Sequence, residues 1–180
     1  MLYSYNNCFE IYGSDKKIKQ AIVDKKIYKI EKGIYSDKEF VSEISIISKK
    51  YPKAIFTLNS AFYYHGLTDV IPKYYYLATS KQVKGIMDKR VKQKFENSTG
   101  LNLGVITMEY NKNAISIYDK ERMLVELIRN KNKLPFDYYK EIINNYRKII
   151  DDLDIQLIQE YIYALPKTNM IMETLNLEVL

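Results

Sequence analysis

Apolar residues over the first fifty positions recur at two different periods. Residues 6–12 can form a short helix with Cys8, Phe9 and Tyr12 turned inward, and Gly13 supplies its C-terminal stop. In residues 15–25, Ile18, Ala21, Ile22 and the stem of Lys25 follow i, i+3, i+4, i+7 spacing, which predicts an amphipathic helix with Ser14 as its N-cap. Such a helix presents Lys16 and Gln20 on the side opposite its apolar stripe and carries Lys17 and Lys19 on the flanks. The period then drops to two. Ile27, Tyr28 and Ile30, followed by Ile34 and Tyr35, make two short β-prone runs around Glu31-Lys32-Gly33, a hairpin with glycine at its tip. Helical spacing returns with Phe40, Ile44 and Ile47, predicting a helix over residues 37–50 that Pro52 ends.

Downstream the pattern is mixed. Residues 54–58 read as a short buried strand, and Asn59 or Ser60 caps a helix carrying Ala61, Phe62, Tyr63 and Tyr64. Residues 74–78 form a strand; residues 81–94 are polar, part loop and part strand or helix. Residues 105–110 and 114–118 make a hairpin around Asn111-Lys112-Asn113. Asp119 caps a strong helix over residues 120–130, with Met123, Leu124, Leu127 and Ile128 inward. Helices over residues 136–149 and 154–164 follow, and residues 168–175 add a last turn or two. The expected class is α+β: a small N-terminal winged helix-turn-helix in residues 1–37, then a mixed α/β domain with a helical C-terminal part in residues 38–180.

Charge sharpens this picture because it is unevenly placed. The chain of 180 residues carries a net +6, with 18 Tyr and no Trp. Its richness in Lys, Ile, Tyr and Asn has the look of an AT-rich bacterial coding bias, so lysine count alone says little. Distribution says more: residues 14–32 hold seven Lys against Asp15, Asp24 and Glu31, a net of +4. Residues 81–94 reach +5, whereas residues 149–180 carry six acids against Lys167, a net of −5. DNA would repel that acidic tail, which suits packing or partner contacts instead.

A basic helix followed by a basic hairpin is the second half of a module that lays one helix in the DNA major groove. Lys16, Lys17, Lys19 and Gln20 are the candidates for that groove. Gln20 is the best base reader, because its amide can pair bidentately with adenine. Ser14 at the helix start and Lys29 and Lys32 on the wing are candidates for phosphates. The same surface could dock a partner protein rather than DNA, and this reading stays open.

Other chemistry finds little footing. Cys8 is the single cysteine and His65 the single histidine, which excludes an internal disulfide, a cysteine zinc site and a two-histidine metal site. No Walker-type glycine loop occurs. Asp15-Lys16-Lys17 and Asp24-Lys25-Lys26 are acid-x-Lys triplets, but they fall in the helix expected to meet DNA. Asp119, Glu121, Arg122 and Glu126 cluster at a helix start, where an N-cap with an Arg122 contact accounts for them. The expectation is therefore no enzyme, no catalytic residues, no cofactor and no metal. The N-terminus lacks a signal-peptide pattern and no run approaches a membrane span, which predicts a soluble, cytoplasmic protein.

Four blocks in order carry a resemblance: Tyr12-Gly13-Ser14-Asp15; residues 29–37, Lys-Ile-Glu-Lys-Gly-Ile-Tyr-Ser-Asp; residues 60–72, Ser-Ala-Phe-Tyr-Tyr-His-Gly-Leu-Thr-Asp-Val-Ile-Pro; and residues 118–129, Tyr-Asp-Lys-Glu-Arg-Met-Leu-Val-Glu-Leu-Ile-Arg. The chain resembles the AbiEi-type antitoxin and transcriptional regulator family of bacterial type IV toxin–antitoxin, or abortive-infection, systems. The resemblance implies a winged helix that binds repeats in double-stranded operator DNA and represses its own operon. It also implies a C-terminal domain that neutralises a nucleotidyltransferase-like toxin, and self-association on DNA.

Overall fold

The computed structural model describes residues 1–179, which are mixed α+β with nine α-helices and two sheets. The chain divides into two compact units, Met1–Lys53 and Ala54–Leu180.

The N-terminal unit opens with a strand absent from the periodicity, β1 (Leu2–Ser4), which pairs antiparallel with residues 34–36. Three residues carry no readable alternation, and their partner lies some thirty positions downstream. Helix α1 (Tyr5–Tyr12) starts in a capping box: Asn7 N donates to Ser4 Oγ at 3.2 Å, and Ser4 N donates to Asn7 Oδ1 at 3.1 Å. Gly13, at φ +78°, ends α1 in the left-handed conformation that glycine adopts most readily. Ser14 then caps α2 (Asp15–Val23), accepting from Lys17 N at 3.3 Å. Helix α2 stops short of residue 25: Lys25 sits at φ +55°, so its stem leaves the inner face and is exposed.

Strands β2 (Tyr28–Glu31) and β3 (Ile34–Ser36) form the expected hairpin, with Gly33 at φ +79°. The order β1-β3-β2 makes β3 central, and all three of its residues are buried. Tyr35 packs with Cys8, Ile18, Ala21 and Ile27, on the face that carries α1 and α2. Ile34 and Ser36 point to the opposite face. Helix α3 (Glu43–Lys50) packs on β1 and β3 and buries Ile44, Ile46 and Ile47. This packing ties α3 to the N-terminal sheet, so the division falls after Lys53 rather than after residue 37.

Two inward assignments fail here. Phe40 precedes α3 and is 86% exposed, because Lys38 N donates to Ser36 Oγ and the helix begins only at Glu43. Phe9 is 45% exposed with its ring tilted against Tyr5, leaving Cys8 and the half-buried Tyr12 as the inner residues of α1.

The C-terminal unit has a five-stranded sheet of β4 (Ile55–Phe56), β5 (Tyr75–Ser80), β6 (Val91–Glu96), β7 (Val105–Tyr110) and β8 (Asn113–Tyr118). Its order is β6-β5-β4-β8-β7, with parallel β5/β6 and β4/β8 pairs and antiparallel β4/β5 and β7/β8 pairs. Thr57, not Asn59 or Ser60, occupies the N-cap of α4 (Leu58–Tyr64). Ser60 is buried instead: its hydroxyl donates to Tyr74 O at 3.3 Å and accepts from Tyr76 N at 2.9 Å, pinning α4 to β5. A five-residue helix, α5 (Ser98–Asn102), was not legible from periodicity.

Asp119 caps α6 (Lys120–Arg129), accepting from Arg122 N at 2.6 Å. Helices α7 (Phe136–Lys148), α8 (Ile155–Ala164) and α9 (Thr168–Glu178) follow. Helix α6 contacts α4, α8 and α9, so residues 122–128 are all buried rather than one stripe of them. Gly104 allows the chain to pass α6: a Cβ there would meet Arg122 Cβ at 2.7 Å, and its φ is +72°.

Candidate nucleic-acid interface

The candidate surface grows from the way α2 is anchored. Ile18 and Ala21 are each 3% exposed, which fixes the rotation of the helix about its axis. At 3.6 residues per turn Lys16 and Gln20 then lie opposite that stripe, with Lys17 and Lys19 on either side. All four are exposed. Ser14 is half-buried, and its hydroxyl already accepts the Lys17 amide.

On the hairpin, Lys29 and Lys32 are also exposed. Lys29 is the cross-strand partner of Tyr35, and directly paired residues share one face of a sheet. Because Tyr35 packs on α1 and α2, Lys29 emerges on the face that carries the helices. Lys32 sits at the hairpin tip beside Gly33.

Carboxylates in this stretch are engaged elsewhere. Asp15 accepts from Tyr5 Oη at 2.7 Å, and this bond, with some burial, raises the Tyr5 phenol above its ordinary value. Glu31 pairs with Lys50 at 3.2 Å, and Asp24 faces Lys26 at 3.7 Å. Lys16, Lys17, Lys19, Lys29 and Lys32 pair with no carboxylate among the described residues. Gln20 differs: its Nε2 donates to Asp24 Oδ1 at 2.8 Å, one turn along. Reading a base would require that amide to leave Asp24. Sequence reasoning missed Tyr5 and Lys50, the two groups that occupy Asp15 and Glu31; both reach their partners through the fold.

No protein-family model matches the chain, and no curated protein matches it. The functional reading therefore rests on the residues themselves.

The second basic segment, residues 81–94, spends half of its cations internally. Arg90 binds Asp88 at 2.7 Å, Lys92 lies over the Tyr74 ring at 4.7 Å, and Lys94 reaches Glu126 at 2.6 Å. Gln93 folds the loop onto the sheet, accepting from Ile86 N at 2.6 Å and donating to Thr79 Oγ1 at 2.6 Å. Lys81, Lys84 and Lys89 are left exposed.

The remaining chemical candidates have structural partners. His65 ends α4, and its Nε2 donates to Tyr118 O at 2.7 Å; burial holds its pKa below the ordinary value. Asp119 accepts from Tyr161 Oη at 2.8 Å as well as capping α6, and burial raises its pKa. Arg122 meets Asp119 through its backbone N–H, the contact expected of that cluster, while its side chain goes elsewhere. That side chain runs inward to Glu126 at 2.7 Å, with both side chains 0% exposed. Acids of the negative C-terminal stretch are used in packing: Asp154 caps α8, and Glu178 accepts from Tyr139 Oη at 2.7 Å and pairs with Lys131. Among the described residues there is no group of three metal-ligating acids, histidines or cysteines, and no helix long and apolar enough to cross a membrane.

Proposed function

We propose that the N-terminal unit is a winged helix-turn-helix that binds double-stranded operator DNA. On this reading the chain is a non-enzymatic antitoxin of a type IV toxin–antitoxin system that represses its own operon. Its further partner is a nucleotidyltransferase-like toxin. The observation that carries the reading is the set of carboxylate-free lysines on α2 and the β2–β3 hairpin. Lys29 comes out on the same side of the sheet as the helix bearing Lys16 and Gln20. The strand order β1-β3-β2, with the α1–α2 pair inserted between β1 and β2, supports the winged-helix assignment.

The test is a salt series of binding to duplex DNA from upstream of the gene, comparing the natural chain with Lys29→Ala/Lys32→Ala, the two lysines assigned to phosphates. Each lost phosphate contact removes about 0.9 from the slope of log K against log salt. The double variant should lose about 1.8, so that raising salt from roughly 50 to 200 mM costs it about twelvefold less affinity than it costs the natural chain. An unchanged slope rejects the assignment.

A second reading has its own observation. Phe9 and Val23 are 45% and 74% exposed, an apolar presence that suits a protein partner better than a phosphate backbone. Under that reading the unit docks a protein, and neither heparin nor nonspecific duplex competes for it at moderate salt.

A further inference from the structure

The five-stranded sheet has two edges of opposite character. Strand β6 carries Lys92 and Lys94 and runs parallel to its neighbour; antiparallel self-pairing about Gln93 would set these lysines against one another. Charges of this kind are how natural sheets keep an edge from pairing. Strand β7 has no such guard. It is six residues long, contains no proline or lysine, and has Glu109 as its one charge. Val105 and Ile106 are 37% and 39% exposed, and Thr107 and Glu109 are exposed too.

The hydrogen-bond phase of β7 follows from its two ends. Asn111 and Lys112, at φ +49° and +63°, form a two-residue turn that closes on the Tyr110–Asn113 pair. At the other end Asp119 N donates to Gly104 O at 2.7 Å, which brackets Val105 and Tyr118 as a non-hydrogen-bonded pair. The backbone groups of Ile106, Met108 and Tyr110 therefore serve β8. Those of Val105, Thr107 and Glu109 point outward from the sheet.

We infer that β7 is a self-pairing edge, and that two copies of this chain join antiparallel through it about a two-fold axis at Thr107. In that register Val105 meets Glu109 of the other copy, Thr107 meets Thr107, and Glu109 meets Val105. All six of these residues have outward backbone groups, and each such pair exchanges two N–H···O=C bonds. The single charge of the strand falls opposite valine, so no like charges meet. On one face Ile106 pairs twice with Met108 of the other copy, extending the apolar surface that Ile115 and Ile117 bury beneath them. The contact is isologous and closes at two chains. It joins two five-stranded sheets into one, and its small area makes a concentration-dependent dimer rather than an obligate one.

The test uses the full chain without DNA, so its outcome is independent of the DNA-binding reading. Sedimentation across a concentration series should give a monomer–dimer equilibrium. Ile106→Lys should weaken it by about tenfold or more, since two cross-strand pairs are lost at once. Thr107→Pro removes only an outward N–H and should weaken it likewise, which guards against misfolding of either variant. Under mild oxidation Thr107→Cys should form an interchain disulfide, because a hydrogen-bonded pair holds its Cα atoms about 5.5 Å apart. Glu109→Cys alone should not, and the natural Cys8 is buried. A chain that stays monomeric to its solubility limit overturns the inference. So does a dimer indifferent to both edge variants, or Thr107→Cys crosslinking no faster than Glu109→Cys.

Discussion

Replacing Glu126 by glutamine tests the most heavily buried polar feature of the protein. Its carboxylate takes Arg122 Nη2 at 2.7 Å, Lys94 Nζ at 2.6 Å, Arg129 Nη1 at 2.6 Å and Asn130 Nδ2 at 3.1 Å. Arg122 lies over the Tyr118 ring at 5.2 Å and, like Glu126, has no solvent-exposed side-chain surface. Glutamine keeps the shape and removes the charge. Three cations then face one remaining carboxylate, Glu96, which already pairs with Lys94 at 2.5 Å. Removing one member of a buried pair strands the other, at a cost of about 3–5 kcal/mol. That is a large part of the roughly 5–15 kcal/mol by which a domain is stable. With a urea m-value of about 2 kcal/mol/M, the unfolding midpoint should fall by about 1.5–2.5 M.

The double variant Arg122→Met/Glu126→Leu removes both buried charges while leaving the Lys94–Glu96 pair intact. It should recover at least half of the loss, because apolar residues replace a buried pair with little net cost. Two compact units make a single global transition unsafe, so circular dichroism should be joined by hydrogen exchange of α6 peptides. A shift below about 1 kcal/mol for Glu126→Gln, or a double variant worse than the single, would refute this account of α6.

Acid should act on the same group. Burial pushes the Glu126 carboxyl up, but Lys94, Arg122 and Arg129 together outweigh it and hold the pKa below the ordinary value. The group's contribution is therefore complete above the unfolded value of 4.5 and is lost as pH falls through the lower folded one; urea midpoints measured down that range should show Glu126→Gln losing this part of the acid dependence. His65 has the opposite chemistry: its pKa is lowered mainly by burial, so the unfolded chain binds the proton more readily. Stability should fall as pH drops through the ordinary value of 6.5, and His65→Gln should flatten urea midpoints in that window, which no other histidine shares. Cys8 is 0% exposed and burial raises its thiol pKa, so alkylation at pH 8 should wait on opening of the N-terminal unit; rapid labelling of the folded chain would contradict its place in that core.

The candidate interface was legible in unequal parts. That Lys16, Lys17 and Lys19 face solvent followed from Ile18 and Ala21, because one helical turn relates them. Which lysines lack a carboxylate did not follow. Asp15 is occupied by Tyr5, ten residues earlier, and Glu31 by Lys50, nineteen residues later. Gln20 was correctly placed on the outer side, but its bond to Asp24 became visible only with the rotamers. Segment 81–94 shows the same limit. Its charge was plain, whereas the ion pairing of Lys94 depended on Glu126, thirty-two residues away.

Sequence by itself determined several features that are settled within one turn of helix. The caps at Ser14 and Asp119, the stop at Gly13 and the inward Ile18 and Ala21 of α2 all use partners no more than four residues apart; the hairpin expected around Asn111-Lys112-Asn113 closes on two residues instead, with Asn113 already in β8. Tertiary structure decided everything whose partner is remote. Strand β1 exists because β3 is there to pair with it, and α3 belongs to the N-terminal unit because it packs on that sheet. Arg122 and Glu126 read as surface charges on an amphipathic helix. They are buried because α6 is enclosed on several sides, and a one-dimensional pattern records the spacing of side chains but not how many neighbours surround them.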